Sequence, residues 1–179
     1  QKNISSILLV TDAGIRKAGL TAPLEKLLTE NGVHCAVYDK TTANPTVPNV
    51  EEARELYLQE ECQAIIALGG GSSIDCAKAC GARIARPRKS LDKMKGLLKI
   101  HKKLPTLIAI PTTAGTGSET TLAAVITDPK SHHKYPINDF CLIPRYALLD
   151  PQITCSLPPA LTASTGMDAL THAVEAYIG

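Results

Sequence analysis

The chain has 179 residues, 44% of them hydrophobic and 20% charged, and carries a formal charge of +2 at pH 7. That suffices for one α/β domain with a proper core and the first piece of a second, and it excludes a disordered, collagen-like or coiled-coil chain. Residues 83–103 alone are conspicuously basic, and with no aromatic side chain among them for base stacking they read as a solvated loop and helix surface, not a nucleic-acid patch.

Six cysteines, at positions 35, 62, 76, 80, 141 and 155, form no CxxC pair and no zinc-ribbon or disulfide spacing, so free thiols in a reducing compartment are expected. Cys76 and Cys80, four apart on an expected helix, read as small buried packing groups. No apolar run reaches membrane-spanning length and no signal-peptide pattern opens the chain. The expectation is a cytoplasmic protein, for a chain that begins at Gln1 and not at Met.

In chain order, residues 7–10 are a continuous apolar run between polar flanks, the pattern of a strand buried on both faces. Residues 20–30 carry Leu24, Leu27 and Leu28 at helical spacing and stop at Asn31-Gly32, a helix-ending pair. A strand over 33–38, a loop at Asn44-Pro45-Thr46, a helix over 50–61 and a strand over 64–68 follow. The order β-α-β-α-β predicts parallel pairing with right-handed crossovers. A helix over 73–85, the basic connection, a strand over 106–110, a polar loop over 111–118 and strands over 122–127 and 146–149 complete the alternating part. From Pro158-Pro159 onward the pattern is helical, with Gly166 read as a break between two helices. The change to helix alone, at about Asp150, divides an α/β domain over 1–150 from the start of a helical one over 151–179.

Three strand ends carry groups suited to a nucleotide. The strand over 64–68 runs into Gly69-Gly70-Gly71-Ser72-Ser73, where glycines allow a sharp turn and close approach, and the free N–H groups of the following helix favour a phosphate. A plain glycine turn capped by Ser72 would read the same way, and the spacing is not the GxGxxG fingerprint. The loop Pro111-Thr112-Thr113-Ala114-Gly115-Thr116-Gly117-Ser118-Glu119 offers hydroxyls toward the same sheet edge, where ligands of open α/β sheets collect. Asp12 closes the first strand; its carboxylate suits a pair of ribose hydroxyls and would repel a 2′-phosphate, favouring NAD over NADP, although a cap before Gly14 explains it equally well.

Near the end of the chain, a helix through Thr165-Gly166-Met167-Asp168-Ala169-Leu170-Thr171-His172 puts Asp168 and His172 one turn apart on one face. A carboxylate and an imidazole at i,i+4 can hold a divalent cation together, but a first-row metal wants three or four ligands, and an ordinary surface pair has the same spacing. His132 and His133, being neighbours in an extended segment, point to opposite sides, so both joining Asp168 on one ion is not expected. With His34 and His101 they read as surface or hairpin histidines.

Together these strings, with Val10-Thr11-Asp12, Asn44-Pro45-Thr46, Asp75 and Ala77-Lys78, resemble the iron-containing (group III) alcohol dehydrogenases over nearly the whole chain. The resemblance implies an enzyme about twice this length, with a Rossmann-like NAD(P) domain whose parallel sheet has flanking helices, then an all-helical metal-binding domain, and a cleft between them. By position it implies Asp12 at the adenosine ribose with Asn44 near it, Gly70, Gly71 and Ser72 at the pyrophosphate, Thr112, Thr113 and Thr116 along the cofactor, and Lys134 near the nicotinamide ribose. Asp168 and His172 match the first two metal ligands, for Fe²⁺ or alternatively Zn²⁺; the family's other two are histidines further on, beyond Gly179. The 179 residues alone would then be inactive.

The activity implied is NAD-dependent hydride transfer between a primary alcohol and nicotinamide, with an alcohol or aldehyde as partner and a homo-oligomeric enzyme. No residue present is a convincing general base. A glycerol-dehydrogenase or dehydroquinate-synthase relative shares the triple-glycine turn, and a non-catalytic NAD-binding module is the rival of another class.

Overall fold

The computed structural model describes residues 4–129, 131, 133–155 and 157–179; His132 lies outside them. In chain order the elements are β1 (Ser6–Val10), α1 (Ala13–Lys17), α2 (Ala22–Glu30), β2 (His34–Tyr38), α3 (Val47–Gln59), β3 (Ala64–Gly69), α4 (Gly71–Ala85), β4 (Gly96–Leu97), β5 (Thr106–Pro111), β6 (Ala123–Asp128), β7 (His133–Asn138), β8 (Tyr146–Ala147), α5 (Pro151–Thr154) and α6 (Pro159–Ile178).

The continuous apolar runs of β1 and β3 are buried along their whole length, as strands covered on both faces must be. Alternate side chains go to opposite cores. Leu8, Val10, Ile65 and Ala67 pack with Val50 and Ala53 of α3 and Ile74 and Ala77 of α4. Ile7, Leu9, Ile66 and Leu68 pack with Ile15, Leu24, Leu28 and Ile153. Leu27 of α2 stays 57% exposed, off the face that Leu24 and Leu28 bury.

The main sheet has the order β2-β1-β3-β5-β8, and every pairing in it is parallel. The chain leaves β1 to one side for β2 and returns to its other side for β3, which opens a crevice at the carboxyl ends of β1 and β3. The register of β3 on β5 runs from Ala64↔Thr106 to Gly69↔Pro111, so the glycine turn and the threonine loop leave the sheet side by side. Thr112 N donates to Gly69 O at 3.0 Å.

A second sheet has the order β4-β7-β6, with β6 and β7 antiparallel. Its inner residues Ala124, Ile126, Tyr135 and Ile137 join the core on the α4 side. It is tied to the loop before α3 through Thr127 N, which donates to Pro45 O at 2.9 Å.

One expectation is met and one corrected at the helices. Asp12 is a helix cap: it caps α1 through Gly14 N and Ile15 N, a helix of 5 residues and too short to show a periodic pattern. Gly166 does not break the last helix, because α6 runs unbroken through 20 residues. A mid-helix glycine costs about 1 kcal/mol relative to alanine, less than the hydrogen bonds of the turns on either side, and no proline follows to force a stop. Pro158 and Pro159 do start it. Its apolar side chains Leu161, Met167, Leu170 and Val174 are exposed. Among the described residues no helix is long and apolar enough to cross a membrane.

Candidate cofactor and metal site

Gly69 ends β3 at φ +156°, and a Cβ there would lie 2.5 Å from Ser73 Oγ, so only glycine allows α4 to start this tightly against the strand. Gly70 is the N-cap of α4 and no side chain caps this end. Ser72 therefore does not have the capping role of a plain glycine turn; its Oγ accepts a hydrogen bond from Asn44 N at 3.2 Å. The first N–H groups of a helix of 15 residues are left facing the crevice without a side-chain acceptor, the arrangement that favours an anion. Gly71 leaves room for the neighbouring loop, since a Cβ there would be 3.1 Å from Ser118 Oγ.

Asp12 has the capping role its sequence allowed and keeps one oxygen at the crevice. Its Oδ1 accepts from Gly14 N at 2.8 Å and Ile15 N at 3.0 Å. Its Oδ2, 3.5 Å from Ser73 Oγ, remains at the crevice. Thr112 is 2% exposed, and Thr113 Oγ1 is buried with no hydrogen-bond partner among the described residues. A buried hydroxyl left unpaired is costly, and one in the wall of a cleft is suited to a polar ligand.

These groups line one cavity of about 770 Å³. Asp12, Gly70, Gly71, Ser72, Thr112, Thr113 and Thr116 form its polar wall, and Ile15, Leu20, Ile153, Leu157 and Leu161 its apolar one. That combination of a glycine cradle, an orphaned hydroxyl and an apolar flank fits a dinucleotide. Thr41, Thr42 and Thr165 also line it. Sequence reasoning missed all three, although Thr41 and Thr42 lie just beyond the carboxyl end of β2, where the strand-end rule applies as well.

Asn44 and Lys134 stand outside this wall. They meet each other: Lys134 Nζ donates to Asn44 Oδ1 at 2.8 Å. The resemblance puts Asn44 at the cofactor near the adenosine ribose and Lys134 near the nicotinamide ribose; here the two side chains are bonded together, with Asn44 at φ +57° and its N–H on Ser72 Oγ.

On α6, Leu161 and Thr165 face the cavity, and Asp168 and His172 continue that helical stripe. His172 Nε2 lies 3.7 Å from Asp168 Oδ1, both side chains about half exposed. An oxygen and a nitrogen donor at this separation suit a first-row metal as part of a set, and among the described residues no group of three metal-ligating side chains gathers. The helix reaches the threonine loop through Gly115, whose φ is +136° and where a Cβ would collide with the Thr165 carbonyl. His133 is exposed at the start of β7.

Beneath the threonine loop, α4 holds two perturbed charges. Burial pushes the Asp75 carboxyl up to about 6, opposed by the hydrogen bond from Val125 N and by Lys78. Burial lowers the Lys78 ammonium to about 8, opposed by Asp75 and Glu119. Cys76, beside them, is raised to about 12 by burial, an inert packing thiol as its spacing suggests.

The fold is thus a Rossmann-like α/β unit with a ligand crevice at its switch point and a helix bearing an Asp–His pair beside it. The family model for iron-containing alcohol dehydrogenases matches residues 1–151. Over 176 residues the chain is 43% identical to choline dehydrogenase of Bacillus subtilis (strain 168), covering 97% of this chain and 44% of that protein. It is 41% identical to NAD-dependent methanol dehydrogenase of Bacillus methanolicus, covering 96% and 45%. Among solved structures, 1,3-propanediol oxidoreductase superposes with a TM-score of 0.93 at 38% identity, covering 98% of this chain and 46% of that one. Sulfoacetaldehyde reductase from Bifidobacterium kashiwanohense, in complex with NAD+, does so at 0.80 and 34%, covering 92% and 43%.

The chain belongs to the iron-containing alcohol dehydrogenase family. It spans less than half the length of these relatives. Their alcohol and aldehyde chemistry favours that reading over a glycerol-dehydrogenase or dehydroquinate-synthase relative.

Proposed function

We propose that this chain is the cofactor-binding part, with the first metal-binding helix, of an NAD-dependent and metal-dependent alcohol dehydrogenase or aldehyde reductase acting on a primary alcohol. The observation that carries the reading is the convergence of Asp12, the glycine cradle and the threonine loop on one cavity whose far wall is the helix bearing Asp168 and His172. Gly70 and Gly71 would receive the pyrophosphate at the α4 N-terminus, and Asp12 Oδ2 the adenosine ribose. Thr113 Oγ1 would gain the partner it lacks. Asn44 and Lys134, being bonded together, would serve one end of the cofactor, beside Ser72.

Asp168 and His172 would supply two ligands to Fe²⁺, or alternatively Zn²⁺, with the rest coming from outside these residues. When bound, nicotinamide supplies the hydride acceptor and the metal a Lewis acid for the substrate oxygen. The chain's own contribution is orientation: Leu157 and Leu161 would offer an apolar surface on one side of the cavity while the cradle would fix the charged side. We place the domain division at about Asp150, and a homo-oligomeric cytoplasmic enzyme is the setting this reading implies.

Titration of NADH fluorescence tests it, with NADPH as the competitor. Saturable NADH binding, at least about tenfold tighter than NADPH because the Asp12 carboxylate repels a 2′-phosphate, is the expected result. Failure to bind either nucleotide would sink the reading.

A further inference from the structure

Gly71, Asp75 and Lys78 form one stripe down α4, at i, i+4 and i+7; Gly71 meets the threonine loop itself, and Asp75 and Lys78 meet the segment that follows it. Gly71 lies against Thr116 and Ser118. Asp75 Oδ2 accepts from Val125 N at 3.0 Å. Lys78 has no exposed surface at all, and its Nζ donates to Thr121 O at 2.8 Å, Thr121 Oγ1 at 3.0 Å and Ala123 O at 2.9 Å.

Those bonds use all three donors of the ammonium. From Thr121 the connection continues upward: Thr121 Oγ1 reaches Ser118 O at 3.4 Å, and Ser118 N donates to Thr116 Oγ1 at 3.4 Å. A chain of hydrogen bonds therefore runs from the middle of α4 to a threonine in the wall of the cavity. Burying an ammonium is expensive, and an apolar side chain of similar length would fill the same space without that cost. What the apolar chain would not do is hold the carbonyls of residues 121 and 123 at a set distance from α4.

We infer that Lys78 is a positioning residue for the cofactor loop: it pins the turn at residues 121–123 to the same helix whose N-terminus forms the glycine cradle, so that cradle and threonines keep one spacing. Asp75 fixes the next stretch, at Val125, from the same helix face. The inference rests on the proposed NAD reading for its purpose but on the α4 stripe for its geometry.

The test compares wild type with Lys78→Met, in the full chain, by two measurements. In the first, NADH and ADP are titrated separately. ADP, which lacks the nicotinamide half, would rest mainly on the cradle and Asp12 and less on the threonine loop, so NADH affinity should fall about tenfold, the loss of a charged hydrogen-bond set, and ADP affinity by clearly less. Equal losses for both, or no loss for either, overturn the inference. In the second, hydrogen exchange is read at the amides of residues 113–121 without any nucleotide. They should exchange at least about tenfold faster in Lys78→Met while those of β1 and β3 stay unchanged. Unchanged loop exchange overturns the inference by itself, and this arm decides alone if wild type binds no NADH, a result that would count against the proposed function only. Should Lys78→Met fail to fold, Thr121→Val removes a single acceptor and is expected to give the same split between NADH and ADP in smaller measure; no split there overturns the inference.

Discussion

Lys134 and Asn44, 90 positions apart in sequence, are joined by a hydrogen bond of 2.8 Å between the lysine Nζ and the asparagine Oδ1. The bond crosses from β7 in the small sheet to the loop before α3, and Asn44 N passes the connection to Ser72 Oγ at the cradle. Asn44 can take this position because asparagine tolerates the left-handed region, at φ +57°. Asn44→Gly keeps the backbone and loses the amide, whereas Asn44→Ala loses both, at an added strain of about 1 kcal/mol. Glycine should leave the unfolding free energy nearly unchanged and weaken NADH binding; alanine should lower both. Denaturant unfolding beside NADH titration distinguishes them, and equal binding by wild type and Asn44→Gly would remove Asn44 from the site.

Asp12 divides its two oxygens between a helix cap and the crevice, so its two roles separate by substitution. Asp12→Asn retains an Oδ1 acceptor for Gly14 N and Ile15 N and removes the charge. It should leave thermal stability close to wild type while narrowing the preference for NADH over NADPH. Asp12→Ala should cost about 1 kcal/mol from the lost cap as well. If Asp12→Asn leaves the NADH to NADPH ratio untouched, the carboxylate does not discriminate the 2′-phosphate.

Gly115 is the point where the threonine loop and α6 touch backbone to backbone. With φ at +136° and the Thr165 carbonyl in the place of a Cβ, Gly115→Ala combines backbone strain with a collision that only movement of α6 relieves. The cost expected is roughly 2 to 3 kcal/mol, confined to that contact. Hydrogen exchange should rise through residues 159–178 and stay unchanged in β1 and β3. Unaltered exchange in α6 would mean that the helix is not held there.

The raised carboxyl of Asp75 sets a pH dependence. Its value in the fold, about 6, lies above the ordinary 3.8, so the folded state holds the proton more tightly. The stabilisation from that proton is fully present below about pH 3.8 and is lost as pH rises through about 6. Asp75→Asn, fixed in a neutral state, has no such dependence. Between pH 7 and pH 5 wild type should therefore gain stability relative to Asp75→Asn, read as the difference between their urea unfolding midpoints. A difference flat across that range would show that Asp75 titrates normally.

The strands were legible wherever burial on both faces left an uninterrupted apolar run, as in β1 and β3, and α4 was legible from its glycine start. β7 was harder, although Tyr135 and Ile137 alternate inward, because Pro136 sits between them and a proline within a run argues against a strand. The glycines, threonines and Asp12 were visible as cofactor candidates because each ends a strand, and strand ends of a parallel sheet share one edge. Thr165 and Leu161 were not, since nothing local to a helix tells which loop it lies against. Lys78 was noticed as part of a motif but had no role, because its partners lie 43 and 45 positions away.

By itself the sequence determined most local conformations, those at Gly166 and β7 excepted, and with them which residues stand at the ends of strands and at the start of α4. Periodicity, capping chemistry and glycine freedom are properties of neighbours in the chain, and they survive without a fold. The tertiary structure decided which of those ends meet. That Ser72 receives Asn44 instead of capping its own helix, that Lys134 finds Asn44, and that Gly115 lies against Thr165 all follow from strand order and from the docking of the small sheet and α6. Those are long-range distances, set by the packing of whole elements, and no stretch of neighbouring residues encodes them.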